Sequence, residues 1–108
     1  MPGNHVICGA IDSMKVIEFD YTDEQGHVIF VRIVEPYAHG INTQQNDALR
    51  GYQIGGASWS GTEPPWRMFL ISRMRNLRML EQGFESTADG YKLNDSAFSP
   101  IFCQVPLP

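Results

Sequence analysis

Arginine is the residue type whose number and spacing in this sequence most clearly predict chemistry. Residues 48–80 contain one acid, Glu63, and five arginines, so the net charge of this segment is five minus one, or +4. The arginines are Arg50, Arg67, Arg73, Arg75 and Arg78. The chain as a whole has a net charge of −4, so its cations are gathered in one segment. Guanidinium groups bind phosphate and carboxylate in a bidentate manner. The segment predicts an anion-binding face or, alternatively, a solvated strand face with scattered ion pairs.

Other reactive residue types lack the spacing that catalysis requires. The loop GGASWSG has the glycines and hydroxyls of a phosphate loop but lacks GK[ST] and a helix directly after it, which favours a simple hairpin loop. No histidine stands beside Ser58 or Ser60 to activate a nucleophile. Asp20, Asp23 and Glu35 form no recognisable acid–base pair. The sequence therefore predicts that the protein is not an enzyme and has no catalytic residues.

The cysteines and histidines are too dispersed to predict a metal site or a resident cofactor. Cys8 and Cys103 lie near opposite ends, and His5, His27 and His39 have no cysteine at a metal-ligand spacing. The N-terminus lacks the cationic start and long apolar region of a signal peptide. We therefore expect a cytoplasmic protein with two free thiols. No apolar run approaches the roughly 20 residues of a membrane helix, so no membrane association is expected.

Short β-strands are the elements that must position the arginines. Alternating or continuous apolar residues predict strands over 15–22, 27–34, 48–54 and 66–71. Residues 75–80 fit a strand or a helix, and we predict a strand. A short helix is predicted over 5–13, and 101–105 could add an edge strand. The whole chain, 1–108, is predicted to be one mainly β domain, a small barrel or sandwich with its core over about 5–98.

The alternation of side chains along a strand predicts which face of the sheet each basic residue lies on. If the interior takes Met68 and Leu70, Arg67 points outward, and the next turn carries an arginine to the same groove. Antiparallel pairing would then bring the preceding strand alongside and form one basic, aromatic-edged patch from Arg50, Tyr52, Arg67 and Arg73. The alternative is a structural ion pair between Arg67 and Glu35. Gly51 predicts a bulge or a close approach of the backbone, and Trp59 is expected to cap the barrel or stack on a ligand.

Several segments together are similar to the WYL-domain family. They are the strand KVIEFDY, the turn DEQG, VRIVEPY, ALRGYQIGG, WRMFLISRMRNLRML and YKLND followed by a phenylalanine. The order VEPY and then R-x-F-x-x-x-R, from Arg67 to Arg73, is the most specific part. The Trp-Tyr-Leu tripeptide is replaced by ALRGYQ, and no helix-turn-helix pattern precedes the domain.

The resemblance implies a fold and a class of function. The fold would be a five-stranded antiparallel Sm-like, Src-homology-3-like barrel with a short N-terminal helix, and residues 99–108 would be an extension or edge strand. In the family this domain is mostly a regulatory module of bacterial transcription factors. The resemblance therefore implies a freestanding sensor of a small anionic ligand, a nucleotide or single-stranded nucleic acid, bound by Arg67 and Arg73 with Arg50 and Tyr52. The alternative is a protein-interaction or homodimerisation module that binds no nucleotide.

Overall fold

The computed structural model describes residues 2–22, 29–56, 64–85 and 87–106. The predicted turn at 23–26 and the predictions for Trp59, Ser58 and Ser60 lie outside these ranges. The described chain is mainly β, with one helix and six antiparallel strands: α1 Pro2–Ser13, β1 Lys15–Thr22, β2 Ile29–Asn42, β3 Asp47–Gly55, β4 Trp66–Leu70, β5 Met74–Gly83 and β6 Phe98–Gln104. A turn of 3-10 helix, Ile71–Arg73, joins β4 to β5. The predictions of a strand over 75–80 and of an N-terminal helix are confirmed.

The strands form one antiparallel sheet in the order β4-β3-β2-β1-β5, and β6 pairs with β2. The sheet has six strands where five were predicted, because residues 98–104 add the edge strand that the sequence left open. Within the described ranges no ladder joins β4 to β5, so the sheet does not close into a barrel. No helix in these ranges is long and apolar enough to span a membrane.

The strand β2 continues through Pro36, whereas the strand predicted over 27–34 ends before this proline. On one side β2 pairs with β1 as far as Val34, and with β6 from Ala38 onward. Pro36 therefore lies between two successive partner strands. On the other side it pairs with Gly51 of β3, where the register shifts before Ala38. A proline has no N–H to donate to a neighbouring strand. Pro36 is tolerated in this central strand because it lies in the interval between the end of the β1 pairing and the start of the β6 pairing.

The main core lies between α1 and one face of the sheet. Helical spacing places Ile7, Ala10 and Ile11 on the buried side of α1, all fully buried. Phe19 and Phe69 pack beneath them edge to face, with ring centroids 5.1 Å apart. A smaller cluster covers the opposite face, where Ala38, Ala48 and Phe98 pack with Met68 and Leu70.

The two packed faces correct the predicted orientation of β4. The sequence analysis placed Met68 and Leu70 in the interior, but Phe69 is the β4 residue in the main core and is only 1% exposed. Both alternating sets of β4 are apolar, and both are covered, so alternation alone could not decide between them. Arg67 shares the Phe69 face and lies at the margin of the main core.

Cys8 and Cys103 are joined by a disulfide, so the prediction of two free thiols is wrong. The two residues are separated by 95 positions in the sequence, and their Cα atoms lie 5.7 Å apart. The helix α1 packs against both β2 and β6, which brings Cys8 to the β6 cysteine. A contact between chain ends leaves no local pattern, and the prediction had rested on the missing signal peptide alone.

Replacing Gly51 by alanine is expected to destabilise the fold by roughly 1–3 kcal/mol. A Cβ at Gly51 would clash with Cγ1 of Val34 and lie 3.6 Å from the Phe69 ring. Val34 is fully buried and stiff, so it cannot move aside cheaply. This confirms the predicted close approach at Gly51.

The matched control for Gly51→Ala is Gly9→Ala in α1. A Cβ at Gly9 meets no atom within 4 Å, so the change should stabilise the helix by about 0.5–1 kcal/mol. Urea unfolding of both variants measures the two effects. Equal effects of the same sign would contradict this account of β3 packing.

Candidate functional site

The structure divides the four predicted site residues between two faces of the sheet. In the ladder between β3 and β4, Arg50 lies opposite Met68, and Gly51 lies opposite Arg67. Directly opposed residues project to the same face. Arg50 and Tyr52 therefore share one face, while Arg67 shares the other with Phe69. The predicted single patch does not form, although Arg67 and Arg73 do come together.

Arg67 and Arg73 line a cleft of about 390 Å³ along the outer edge of β4. We call it the arginine cleft, and its walls are formed by Tyr21, Arg32, Asn42, Gln44, Arg67, Met68, Phe69, Leu70 and Arg73. Its volume falls within the roughly 300–1,000 Å³ typical of small-molecule sites. Four consecutive residues of the edge strand β4 contribute to it, because no strand covers that edge in the described ranges.

Aromatic rings position two of the guanidinium groups. The guanidinium carbon of Arg67 lies 5.9 Å from the centre of the Phe69 ring, and that of Arg32 lies 6.0 Å from the Tyr21 ring. A guanidinium held over a ring can still donate through its N–H edge, and one N–H of Arg32 donates to the Gln53 side chain at 3.5 Å. The Tyr21 hydroxyl accepts a hydrogen bond from the Leu70 N–H at 2.9 Å and can still donate its own proton.

The 3-10 turn after β4 holds the third arginine in place. The Arg73 carbonyl accepts a hydrogen bond from the Thr22 hydroxyl at 3.2 Å, which ties the turn to the end of β1. The side chains of Arg67 and Arg73 are both only partly exposed. Partial burial lowers the local dielectric, so charge-assisted hydrogen bonds made there are stronger than on an open surface.

The described residues that line the arginine cleft carry charge of one sign. They include three arginines and no carboxylate. Among the described residues no carboxylate forms an ion pair with Arg67 or Arg73. The proposed partner Glu35 instead accepts a hydrogen bond from the Tyr37 hydroxyl at 2.8 Å. The cleft is therefore chemically suited to an anion.

Arg50 lies at a second pocket, which is largely aromatic. This pocket of about 280 Å³ is lined by Ala38, Arg50, Trp66, Gly90, Tyr91, Lys92 and Asp95. The Nε of Arg50 is 3.1 Å from a carboxylate oxygen of Asp95, so its charge is compensated within the fold. Tyr52 packs edge to face on Trp66, with centroids 5.2 Å apart. Both residues have structural partners and are weaker candidates for binding a ligand.

Two tyrosines beside the aromatic pocket should make the protein sensitive to alkali. Burial raises the pKa of Tyr37. The hydrogen bond from the Ala88 N–H lowers this pKa in part, and the hydrogen bond to Glu35 raises it further. Burial and the nearby Asp95 charge raise the pKa of Tyr91. A phenol whose pKa is higher in the folded state than in the unfolded state stabilises the fold. This contribution is fully present below the unfolded pKa, near 10, and is lost as the pH rises through the folded pKa.

We therefore expect the free energy of unfolding to fall as pH increases above about 10. Urea unfolding at a series of pH values measures this slope. Tyr37→Phe removes one of the two groups and should make the slope shallower. An unchanged slope in that variant would contradict the assignment to Tyr37.

A separate cluster of metal-ligating side chains was missed by the sequence analysis. The ligand atoms of Cys8, His39 and Cys103 all lie within 4.8 Å of one another. They come from α1, β2 and β6, so no ligand spacing in the sequence could have revealed them. The cleft also contains Arg32, an arginine that interrupts the apolar run of β2, a pattern that fits an ion-pair partner or a ligand contact. Tyr21 gives no sequence signal beyond strand alternation.

Comparison of this chain with family models, with curated proteins and with solved structures found no match. Its function must therefore be argued from the geometry and charge of its own sites. Of the residues predicted from the sequence, Arg67 and Arg73 line the arginine cleft and Arg50 lines the second pocket.

Proposed function

We propose that this protein is a binding module that holds a phosphate-bearing ligand, a nucleotide or a short single strand of nucleic acid, in the arginine cleft. The observation that carries the proposal is that Arg67 and Arg73 meet at one cleft whose lining, over the described part of the chain, contains no carboxylate. Partly buried guanidinium groups without a carboxylate partner among those residues cost desolvation energy in the empty protein. A bound phosphate would recover that energy through charge-assisted hydrogen bonds.

The walls of the cleft fit a nucleotide better than a bare inorganic anion. The arginines offer paired N–H donors to phosphate oxygens, and the half-buried Tyr21 offers a hydroxyl and an aromatic surface. The exposed amide of Gln44 lines the same cleft and can donate to or accept from a base edge, whereas the buried Asn42 amide is already hydrogen-bonded to the Gln44 and Asn46 N–H groups. Stacking of a base on an aromatic ring contributes about 1–3 kcal/mol and tolerates different bases.

We further propose that the fold is a Sm-like barrel related to the WYL domain and that the module is regulatory. The edge strands β4 and β5 are consecutive in the chain, so the two edges of the sheet meet at the turn Ile71–Arg73. This connectivity is compatible with an open form of a five-stranded barrel, since β4 and β5 are the two edges that would pair on closure. Both arginines of the R-x-F-x-x-x-R segment line the cleft, in keeping with the ligand-binding face that the resemblance implies. We also propose a cytoplasmic location for this sensor, in which cellular thiols would keep the Cys8–Cys103 pair reduced instead of in the disulfide form that the structure describes.

The second candidate function is a protein-interaction or homodimerisation module. It is favoured by β5, an edge strand of ten residues that carries Met79 with 50% of its surface exposed. An exposed edge strand with an apolar side chain can pair with a strand of another chain. Such an interface would not require the arginine cleft.

The dependence of affinity on salt distinguishes the two functions. We expect a fluorescent single-stranded oligonucleotide to bind at low salt and to lose affinity steeply as salt increases, because phosphate contacts release counterions. A native mass spectrum of the same sample reports the oligomeric state. If no oligonucleotide or nucleotide binds at low salt and the protein is dimeric, the interaction module replaces the ligand-binding module.

A further inference from the structure

The cluster formed by Cys8, His39 and Cys103 lies apart from the arginine cleft and shares no residue with it. His39 and Cys103 are paired across the β2–β6 ladder. The Sγ of Cys8 approaches from α1 to 3.8 Å from the Nδ1 of His39. In the disulfide-bonded form described by the structure, the two sulfurs are bonded to each other and cannot act as thiolate ligands.

A contact with a partly exposed carboxylate orients His39 toward the sulfurs. His39 is fully buried, and its Nε2 lies 2.5 Å from Oδ1 of Asp47. The imidazole tautomer that carries its proton at Nε2 donates it to this carboxylate and keeps its lone pair on Nδ1, the atom that faces Cys8. A carboxylate behind a histidine in this manner is the usual outer support of a metal-binding imidazole.

We propose that the reduced chain binds Zn²⁺ through the Sγ atoms of Cys8 and Cys103 and the Nδ1 of His39. A dithiol reductant supplies two electrons and two protons to the disulfide and is itself oxidised to a disulfide. The two thiols then release two protons as the two Zn–S bonds form, while the imidazole contributes its lone pair without losing a proton. The fourth position of the tetrahedron is left to water.

The distances in the cluster suit this metal. Zn–S bonds of about 2.3 Å and Zn–N bonds of about 2.0–2.1 Å place a sulfur and a nitrogen ligand roughly 3.6 Å apart in a tetrahedral site. The separation of Cys8 Sγ from His39 Nδ1 is 3.8 Å. Thiolate and imidazole ligands together favour zinc over hard cations such as Mg²⁺ and Ca²⁺. The two sulfurs move apart once their bond is broken, and all three ligand atoms already lie within 4.8 Å of one another.

Cobalt binding tests the proposal, because Co²⁺ reports thiolate ligation in its absorption spectrum. The full chain is reduced with a phosphine, kept free of oxygen and titrated with Co²⁺. We expect a thiolate-to-cobalt charge-transfer band, tetrahedral ligand-field bands and their loss on addition of one equivalent of Zn²⁺. The oxidised protein should show none of these. This comparison needs no substitution, so it stands even if a variant fails to fold.

Three variants test the individual ligands. Cys8→Ser should leave about half of the charge-transfer intensity, because one thiolate remains. Asp47→Asn should weaken Co²⁺ affinity roughly 10- to 100-fold while the form of the spectrum is kept. A variant with Cys8→Ser and Cys103→Ser should lose the thiolate band altogether.

Thermal melting gives a second readout. Zn²⁺ should raise the melting temperature of the reduced protein and leave that of the oxidised protein unchanged. The proposal is overturned if the reduced wild type gives only the spectrum of the double serine variant, or if Zn²⁺ binds the oxidised protein equally well. Either result would leave the cysteines as a purely structural disulfide.

Discussion

Replacing Phe69 by alanine is expected to lower the free energy of unfolding by about 3–5 kcal/mol. Phe69 is 1% exposed and packs edge to face on both Phe19 and Tyr21, with centroids 5.1 and 5.2 Å away. Alanine would remove these ring contacts and leave a cavity in the main core. The effect is large because both partner rings lie on β1, which is paired on each side with β2 and β5 and cannot move into the space.

Phe102→Ala is the matched control for Phe69→Ala. Phe102 lies on β6 with 50% of its surface exposed, so the same chemical change should cost roughly 1 kcal/mol or less. Urea unfolding of the oxidised proteins measures both changes. A larger loss for Phe102→Ala than for Phe69→Ala would contradict the inward orientation of Phe69 on β4.

Replacing Arg67 or Arg73 by alanine is expected to weaken binding of an anionic ligand by about 1–3 kcal/mol, roughly 5- to 150-fold in Kd. Each guanidinium lines the arginine cleft without a carboxylate partner among the described residues. Removing it therefore deletes a ligand contact without leaving a buried unpaired charge behind. The melting temperature should change little.

Arg75→Ala is the control for these two variants, because Arg75 is exposed on β5 and lies outside the cleft. Its affinity for a fluorescent oligonucleotide should stay close to that of the wild type. Arg50→Ala should likewise affect binding less and stability more, since Arg50 pairs with Asp95. A clear fall in melting temperature for Arg67→Ala, with binding intact, would assign Arg67 a structural role.

Much of the fold could be predicted because the strands of this chain have clear local patterns of apolar residues. Alternation in KVIEFDYT gave β1 with the bounds that the structure has. The ambiguous segment 75–80 is a strand because β5 pairs with β1 along most of its length, and tertiary pairing outweighs a weak helical period. The continuation of β2 through Pro36 could not be predicted, because it depends on where β1 ends and β6 begins beside it.

The candidate site could be predicted only in part, for a related reason. Alternation divided β4 into two faces, but both were apolar. Only packing on the Phe19 and Tyr21 rings selects Phe69 for the main core, and hence the side on which Arg67 lies. The register with β3 then separates Arg50 from Arg67. The disulfide and the histidine beside it depend on contacts between the two ends of the chain, which no spacing in the sequence reveals.

The most direct test of the arginine cleft is an NMR titration of the full chain with a nucleoside monophosphate, following the Nε–Hε signals of the arginines. We predict that the signals of Arg67 and Arg73 shift together and saturate with one affinity, while that of Arg75 does not move. Phosphate-bound guanidinium groups shift because their N–H protons enter charge-assisted hydrogen bonds. Saturable shifts at Arg50 alone, or none at Arg67 and Arg73, would contradict the account.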